Sequence, residues 1–212
     1  MTSFLDVLRA VAQEVKGRAD ELNRLDAEAG DGDLGVTATN AADAILSLLP
    51  ALEGQEIPDI LKACGVAISR EAASTGGTLI AAGLLGASRT AAGESLSASE
   101  RFAQLLDASR AAIAALGKAE PGSKTMLDAL APAAKAAVKI AREGGTLSQA
   151  LIVAAEAADD GATATTTMRP RFGRAAWLAE RSAGHEDAGA RLVAIILESA
   201  ARSNQSLSPP NR

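Results

Sequence analysis

Three carboxylates lie close together among glycines in the stretch LDAEAGDGDLG, residues 25–35: Asp26, Asp31 and Asp33. Like charges at this spacing repel one another unless a cation lies between them. Mg²⁺ prefers octahedral oxygen coordination and is usually bound by one or two carboxylates, water and substrate phosphates. The stretch therefore predicts a site for one or two Mg²⁺ ions that also receives the phosphates of a nucleotide.

Two other interpretations of this stretch compete with the magnesium site. An EF-hand calcium loop ends with Glu at its twelfth position, but that position is Ala42 counted from Asp31 and Thr37 counted from Asp26. The EF-hand is therefore excluded. A solvated turn in which Asp31 or Asp33 caps the following helix stays open as the alternative.

A second stretch, AASTGGTLIAAGLLG at 72–86, interrupts helical sequence with hydroxyls and small residues: Ser74, Thr75, Gly76, Gly77 and Thr78. Backbone N–H groups at a helix N-terminus can bind phosphate, and glycine lets the ligand approach. The Gly-Lys-Ser/Thr ending of a P-loop is absent from this stretch. A close helix crossing built from small residues explains the stretch equally well.

A third stretch, EPGSKTMLDAL at 120–130, has hydroxyls that could cap a helix, Ser123 or Thr125. Met126 and Leu127 follow and present apolar surface that could contact an adenine. Met and Leu at helical spacing are more often core residues, so this stretch alone indicates little.

A fourth stretch, residues 168–190, crowds four arginines around the single Trp and the single His: Arg169, Arg171, Arg174 and Arg181. Arginine is suited to bidentate phosphate contacts. A solvated helix face with Glu180 and Glu186 as ion-pair partners is the alternative. His185 lies in a polar turn, where hydrogen bonding to backbone is more common than general-base chemistry.

Composition limits the class of protein. The 212 residues include 48% hydrophobic and 2% aromatic residues, and the formal net charge is −5. A negative balance argues against nucleic-acid binding. The single cysteine, Cys64, excludes an intrachain disulfide and a cysteine zinc cluster, and its apolar surroundings predict a buried structural thiol. The chain shows neither a signal peptide nor an uninterrupted apolar run of membrane-spanning length, so we expect a cytoplasmic protein without membrane contact.

Helical periodicity predicts an all-α fold: a single antiparallel domain of about eight helices. The first apolar stripe runs from Phe4 to Leu25, and the capping boxes SASE (97–100) and TLSQ (146–149) mark two further helix starts. The only strand-like run, TATTT at 163–167, could equally be a helix end. We predict one domain over 1–203 and a flexible tail over 204–212.

Together and in order, the four stretches resemble the nucleotide-binding L subunit of dihydroxyacetone kinase, the Dak2 or DhaL-like domain. LDAEAGDGDLG, PGSKTMLDALAPA and GRAAWLAERSAGHEDAGA are similar to that family's L-D-x-x-x-G-D-G-D-x-G, G-D-K-T-M-x-D-A-L and G-R-A-x-x-x-x-E-R-S-x-G-H-x-D-P-G-A. The similarity runs over nearly the whole chain. It implies a bundle or barrel of eight antiparallel helices with ADP or ATP and two Mg²⁺ ions at one end.

The resemblance also implies roles for individual residues. Asp26, Asp31 and Asp33 would be the metal ligands of the catalytic site. The implied nucleotide contacts are Ser74, Thr75, Gly76, Gly77, Thr125, Met126, Arg174, Asp187 and Gly189. The partner would be a separate K subunit that binds the ketose, and a phosphotransferase-system protein would be the phosphoryl donor in some systems.

Several positions depart from the family pattern. Leu34 stands where the family usually has His, Ser123 replaces an Asp, and Ala188 replaces a Pro. These changes leave the three aspartates intact but open the identity of the substrate, which could be another short ketose such as erythrulose. A regulatory module that docks on a protein partner when ADP is bound is the alternative from another functional class.

Overall fold

The structure, a computed structural model, describes residues 3–90, 96–172 and 182–206. These residues form nine α-helices and two short 3₁₀ helices, and no strand occurs among them. The α-helices are α1 (Phe4–Gly17), α2 (Ala19–Ala27), α3 (Leu34–Leu48), α4 (Ile57–Glu71), α5 (Thr75–Ala87), α6 (Ala98–Gly117), α7 (Leu127–Arg142), α8 (Leu147–Ala164) and α9 (Ala188–Ser206). The 3₁₀ helices span Leu49–Leu52 and Thr165–Thr167.

Eight of the helices form a closed ring. The chain winds so that α3 packs on α4, α4 on α5, and so on to α9, while α1 closes the ring by packing on both α9 and α3. The ninth helix, α2, leads from α1 into α3. Because short connections join consecutive helices, neighbours run antiparallel. The predicted all-α antiparallel barrel is confirmed.

Alanines fill the joint between α7, α8 and α9, which we call the alanine seam. Its members recur every four residues along each helix and are fully buried: Ala129, Ala133 and Ala137; Ala150, Ala154, Ala158 and Ala162; Ala190 and Ala194. Residues four apart form one ridge of a helix surface, and methyl side chains on that ridge allow close approach of the helix backbones. The low aromatic content is thus compatible with a packed core.

Two details differ from or extend the sequence prediction. The first apolar stripe is divided between α1 and α2, because Arg18 leaves helical geometry at φ −105° and ψ 11°. The strand-like run is the end of α8 followed by the 3₁₀ helix Thr165–Thr167. Both predicted capping boxes are confirmed, at Ser97 with Glu100 and at Thr146 with Gln149.

Two features of the core concern the predictions made for membrane contact and for the cysteine: the apolar segment Leu34–Leu52 and the buried Cys64. Leu34–Leu52 is long and apolar enough to cross a membrane by length and composition alone. The core helix of a globular protein passes the same test, and α3 packs here against α1, α2, α4 and α5. Cys64 is buried, and desolvation raises the pKa of its thiol to about 11, as expected of a structural cysteine.

Candidate functional site

Four helices begin at the same end of the barrel, which we call the site end: α3, α5, α7 and α9. The connections at this end cover 28–33, 72–74, 118–126 and 182–187. Thr37 in α3 donates from its hydroxyl to the Ser74 hydroxyl before α5, at 3.0 Å. A Cβ built on Gly189 in α9 would lie 3.4 Å from Met126 Cβ, just before α7. The helix N-termini, with their partial positive charge, therefore converge here.

The three aspartates of the first stretch come together at the site end. One carboxylate oxygen from each of Asp26, Asp31 and Asp33 can lie within 4.8 Å of the other two. Asp26 is in the last turn of α2, while Asp31 and Asp33 are exposed in the following turn. The turn is closed by three bonds to Asp26: Ala29 N–H and Gly30 N–H donate to its carbonyl at 3.1 and 2.6 Å, and Asp33 N–H donates to its Oδ2 at 3.0 Å.

The helix-cap alternative for Asp33 finds no support in the geometry. Asp33 occupies the N-cap position of α3, but its side chain makes no capping hydrogen bond. Asn23 serves instead, because its Oδ1 accepts from Gly35 N–H at 2.7 Å and Val36 N–H at 3.3 Å. The Asp33 carboxylate is thus not used to hold the helix.

The aspartate cluster offers donors that suit a magnesium ion. Its donors are all carboxylate oxygens, which suit hard cations. A Cβ on Gly30 would lie 2.7 Å from Asp26 Oδ1, so a side chain there would displace that oxygen. Gly32 has φ +75°, which favours glycine. Both glycines are therefore required by the arrangement of the carboxylates.

The second stretch forms the N-terminus of α5. Ser74 is its N-cap, and the Ser74 hydroxyl accepts from Gly77 N–H at 3.0 Å. The N–H groups of Thr75 and Gly76 cannot pair within the helix because they precede its first acceptors. Gly77 also permits a close turn, since a Cβ there would lie 1.9 Å from the Ala72 carbonyl oxygen. The phosphate-loop prediction and the small-residue contact are thus compatible.

The third stretch is held by Asp128, whose carboxylate accepts from the backbone N–H groups of Gly122 and Thr125. The Thr125 hydroxyl accepts in turn from Leu127 N–H at 3.3 Å at the start of α7. Met126 is buried and packs with Ile113 and Leu130. This stretch therefore presents Thr125 and Met126 from a loop with a fixed backbone.

The turn before α9 is anchored through Asp187. Its N–H donates to the Thr165 hydroxyl at 2.8 Å, and its Oδ1 accepts from Ala190 N–H at 2.7 Å, as a helix cap does. Desolvation, helped by the charges of Asp128 and Asp26, raises the pKa of Asp187 to about 7, against the opposing effects of the Ala190 N–H and Lys124. Asp187 therefore fixes the start of α9 through both its backbone and its carboxylate.

The other predicted residues lie outside the described part of the chain, at the surface or in the core. Arg174 lies outside the described residues. Arg169 and Arg171 are exposed. The His185 ring is exposed, with Nε2 3.8 Å from Glu28 Oε2, and so links the turn before α9 to the acidic stretch. Leu34, which replaces the family His, is buried in an apolar cluster with Leu22, Ala188 and Leu192.

Sequence reasoning missed the residues that hold these loops together: Asn23, Lys124, Asp128 and Thr165. The side chain of each forms hydrogen bonds with residues outside its own turn or across the barrel. The Thr165 hydroxyl, for example, accepts from Asp187 N–H. The available signal was their place inside or next to the quoted stretches. Spacing alone does not distinguish such a residue from an exposed polar one.

Known proteins are similar to this chain in sequence and in fold. A family model described as the DAK2 domain matches residues 28–202. The protein named "PEP-dependent dihydroxyacetone kinase, ADP-binding subunit DhaL" of Escherichia coli (strain K12) is 33% identical over 181 residues, which are 85% of this chain and 86% of that relative.

Two crystal structures of the dihydroxyacetone kinase of C. freundii also match, one native and one in complex with AMP-PNP and Mg²⁺. Their TM-scores are 0.74 and 0.73 at 25% identity, and each covers 94% of this chain. The match covers 34% and 33% of those chains, so this chain spans about a third of their length.

Fold and relatives together define a class of all-helical domains that also occurs in dihydroxyacetone kinases. Within that class, the chain belongs to the DAK2 domain family. The resemblance inferred from three sequence motifs is confirmed.

Proposed function

We propose that this protein is the Mg·nucleotide-binding subunit of a kinase for dihydroxyacetone or a similar short ketose. One observation carries the proposal: three carboxylates lie within 4.8 Å of one another at the end of the barrel where four helices begin. An acidic cluster alone would repel a phosphate, whereas with bound cations it would attract one. The name of the Escherichia coli relative, an ADP-binding subunit, supports the choice of nucleotide.

Asp26, Asp31 and Asp33 would hold the magnesium, and we propose two ions. Mg²⁺ bound there would supply positive charge that neutralises phosphate oxygens during transfer. The contribution of the chain is to fix the ligand oxygens, through the bonds from Gly30 and Asp33 to Asp26. The structure of the C. freundii kinase with AMP-PNP and Mg²⁺ supports this pairing of metal and nucleotide.

The α5 N-terminus would bind the phosphates from the other side. The N–H groups of Thr75 and Gly76 are available to an anion there, and the helix dipole favours negative charge at that position. Ser74 and Gly77 shape the turn. Glycine at 76 lets the start of α5 pack closely on α3, because a Cβ there would lie 3.0 Å from Leu34 Cδ1.

Thr125 and Met126 would border the nucleoside, and Gly189 would allow α9 to approach them. A side chain at 189 would be tightly placed, since its Cβ would lie 3.1 Å from Asp187 Oδ1. Asp187 sets the start of α9. We assign Arg174 to the same site from the family motif alone.

In phosphoryl transfer, this chain would align the reacting groups and neutralise their charge. Phosphoryl transfer proceeds through a loose transition state that needs positioning and charge neutralisation more than a protein nucleophile. The acceptor hydroxyl would come from a ketose on a separate K subunit. Three large apolar side chains are exposed among the described residues, Val36, Leu116 and Phe172. All three belong to segments at the site end, where we propose that the K subunit docks.

The phosphoryl donor follows from the relatives by analogy. The Escherichia coli protein is named PEP-dependent, which favours bound ADP recharged by a phosphotransferase-system protein over free exchange of ATP. We propose a cytoplasmic location, where both donors occur.

Calorimetric titration with ADP and ATP, with and without Mg²⁺, tests the proposal. We expect nucleotide binding to require Mg²⁺ and to fall at least 100-fold in Asp31→Ala and in Asp33→Ala, because each removes a ligand oxygen from the cluster. Asp59→Ala is the matched control, since Asp59 is an exposed carboxylate in the first turn of α4 at the opposite end.

Loss of binding in the two site variants with an unchanged control and an intact helical spectrum would support the metal–phosphate site. Binding that is indifferent to Mg²⁺ and to both aspartates would show that the likeness to the kinases extends to the fold alone. ADP that copurifies and dissociates slowly would favour the PEP-dependent donor.

A further inference from the structure

Lys124 is a buried lysine whose ammonium group binds backbone carbonyls. The residue is 4% exposed, and Nζ donates to the Ser182 carbonyl at 2.6 Å and to the His185 carbonyl at 2.8 Å. Both acceptors belong to the turn before α9, about sixty positions along the chain. Burying an ammonium group is unfavourable unless it is well compensated, and desolvation lowers the pKa of Lys124 here. A lysine in this position requires an explanation beyond packing.

The two segments joined by Lys124 are those that carry the proposed nucleoside contacts. Lys124 directly precedes Thr125 and Met126. The turn that it holds ends at Asp187, whose Oδ1 accepts from Ala190 N–H in the first turn of α9. A Cβ built on Gly189, in the same first turn, would lie 3.4 Å from Met126 Cβ, so the two segments lie close together here.

The backbone at Lys124 is also unusual. Its φ is +58°, and among the described residues only Lys118, with φ +50°, shares a left-handed conformation without being glycine. Such a conformation costs about 1 kcal/mol for a residue with a side chain. Lys118 is exposed. The chain thus contains a natural comparison, two lysines of like backbone in one loop, of which one is buried against the turn.

We propose that Lys124 is a positioning residue for the nucleotide: its ammonium group locks the 120–126 loop to the 182–187 turn and so holds Met126 against the start of α9. This inference rests on the proposed function. The lock acts through backbone carbonyls and therefore does not depend on the side chains of the turn. Small displacements of binding groups reduce affinity strongly, so loss of such a support is expected to weaken nucleotide binding by about 10- to 100-fold.

The test compares Lys124→Met with Lys118→Met, two variants that remove an ammonium group and keep a linear side chain. Two quantities are measured in the whole chain: the Kd for ADP with Mg²⁺, and hydrogen exchange of the Asp187 and Ala190 amides without nucleotide. We expect Lys124→Met to weaken ADP binding 10- to 100-fold and to speed exchange of both amides. Lys118→Met should change neither by more than about twofold.

A destabilised variant separates positioning from general stability. Leu52→Ala removes a buried side chain at the opposite end of the barrel. If Leu52→Ala weakens ADP binding as much as Lys124→Met does, or if Lys124→Met binds ADP like the unmodified protein, the inference is overturned. Lys124→Arg keeps the charge and the donors. It should bind ADP more tightly than Lys124→Met does, and its Ala190 amide should exchange more slowly than that of Lys124→Met.

Two further outcomes keep the inference distinct from the proposed function. If Lys124→Met does not fold, Lys124→Arg decides: ADP binding at full strength with an unprotected Ala190 amide would refute the lock. If the unmodified protein does not bind ADP, the proposed function fails, and the exchange data still test whether Lys124 holds the turn.

Discussion

The two ends of the barrel satisfy their helix N-termini in different ways. At the end opposite the site, α1, α6 and α8 each begin with a capping box, and α4 begins with a proline in its first turn. At the site end no described helix start has a capping box: Ser74 and Asp187 give α5 and α9 a side-chain cap, and the N-cap residues of α3 and α7 make no side-chain capping bond. There, Asn23 and Thr125 accept from first-turn N–H groups of α3 and α7.

Local capping stabilises a helix, but it also occupies N–H groups that could bind a ligand. A capping box uses up two donors within four residues and stabilises a helix without help from the rest of the fold. A helix start that depends on tertiary partners is more costly to arrange, but it leaves N–H groups and carboxylates for a ligand. The comparison indicates that helix starts at the site end are capped less fully by local residues, which is compatible with the proposed phosphate and metal contacts.

The largest expected effect comes from the glycine closest to a backbone. In Gly77→Ala the new Cβ would meet the Ala72 carbonyl oxygen at 1.9 Å, so the start of α5 must shift. We expect a loss of about 3 kcal/mol in the free energy of unfolding. Denaturant unfolding would measure this loss, and calorimetry would show weaker ADP binding.

Gly54→Ala is the control at the opposite end. Gly54 has φ +75° with open space around its Cβ position, so alanine there should cost about 1 kcal/mol and leave ADP binding unchanged. Equal losses for the two variants would remove the contrast between the ends.

A smaller effect concerns the pH dependence of stability. Because the pKa of Asp187 is raised to about 7, the folded protein keeps a proton there that the unfolded chain releases near pH 4. The folded state therefore binds more protons between these values, and the free energy of unfolding falls as the pH rises from 4 to 7. Asp187→Asn, which can still cap α9, should reduce the total fall between pH 4 and 7 by about 2 kcal/mol and so flatten the slope; the figure is discounted because Asp187 is half-buried.

Chemical denaturation at several pH values would measure the slope for Asp187→Asn. Asp59→Asn, at an exposed carboxylate of α4, serves as the control and should keep the slope of the unmodified protein. A slope that survives in Asp187→Asn would mean that another group retains the proton.

The smallest effects compare single caps at the two ends. Ser97→Ala removes the capping box of α6, and Ser74→Ala removes the cap of α5 together with the bond from Thr37. Each should cost about 1 kcal/mol of stability, as N-cap losses do. Calorimetry should then separate them, because only Ser74→Ala is expected to weaken ADP binding. If both variants weakened ADP binding, the proposal that only the site end binds the nucleotide would be contradicted.

The fold could be predicted from sequence to the extent that its signals are local. Apolar periodicity and the two capping boxes at Ser97 and Thr146 depend on residues within one or two turns, and they were confirmed. The break at Arg18 was missed because the apolar stripe continues across it. A short bend between two helices with a shared apolar face leaves little trace in the spacing.

The site residues, too, could be predicted only where the signal is local. The three aspartates lie within eight positions, and a turn rich in glycine could be expected to bring them together, as it does. The burial of Lys124 and the use of Thr165 as an acceptor depend on contacts between distant segments. Nothing in the neighbouring residues encodes them, and the family motifs included Lys124 without giving it a role.

The alanine seam has a thermodynamic consequence. A methyl side chain exposes little apolar surface when the chain unfolds, and apolar exposure is what makes the heat capacity of unfolding large. With nine fully buried alanines joining α7, α8 and α9, the heat capacity change should lie below the usual value of roughly 12–15 cal/mol/K per residue. The stability curve would then be shallow, and the barrel would keep a similar margin of stability over a wide range of temperatures.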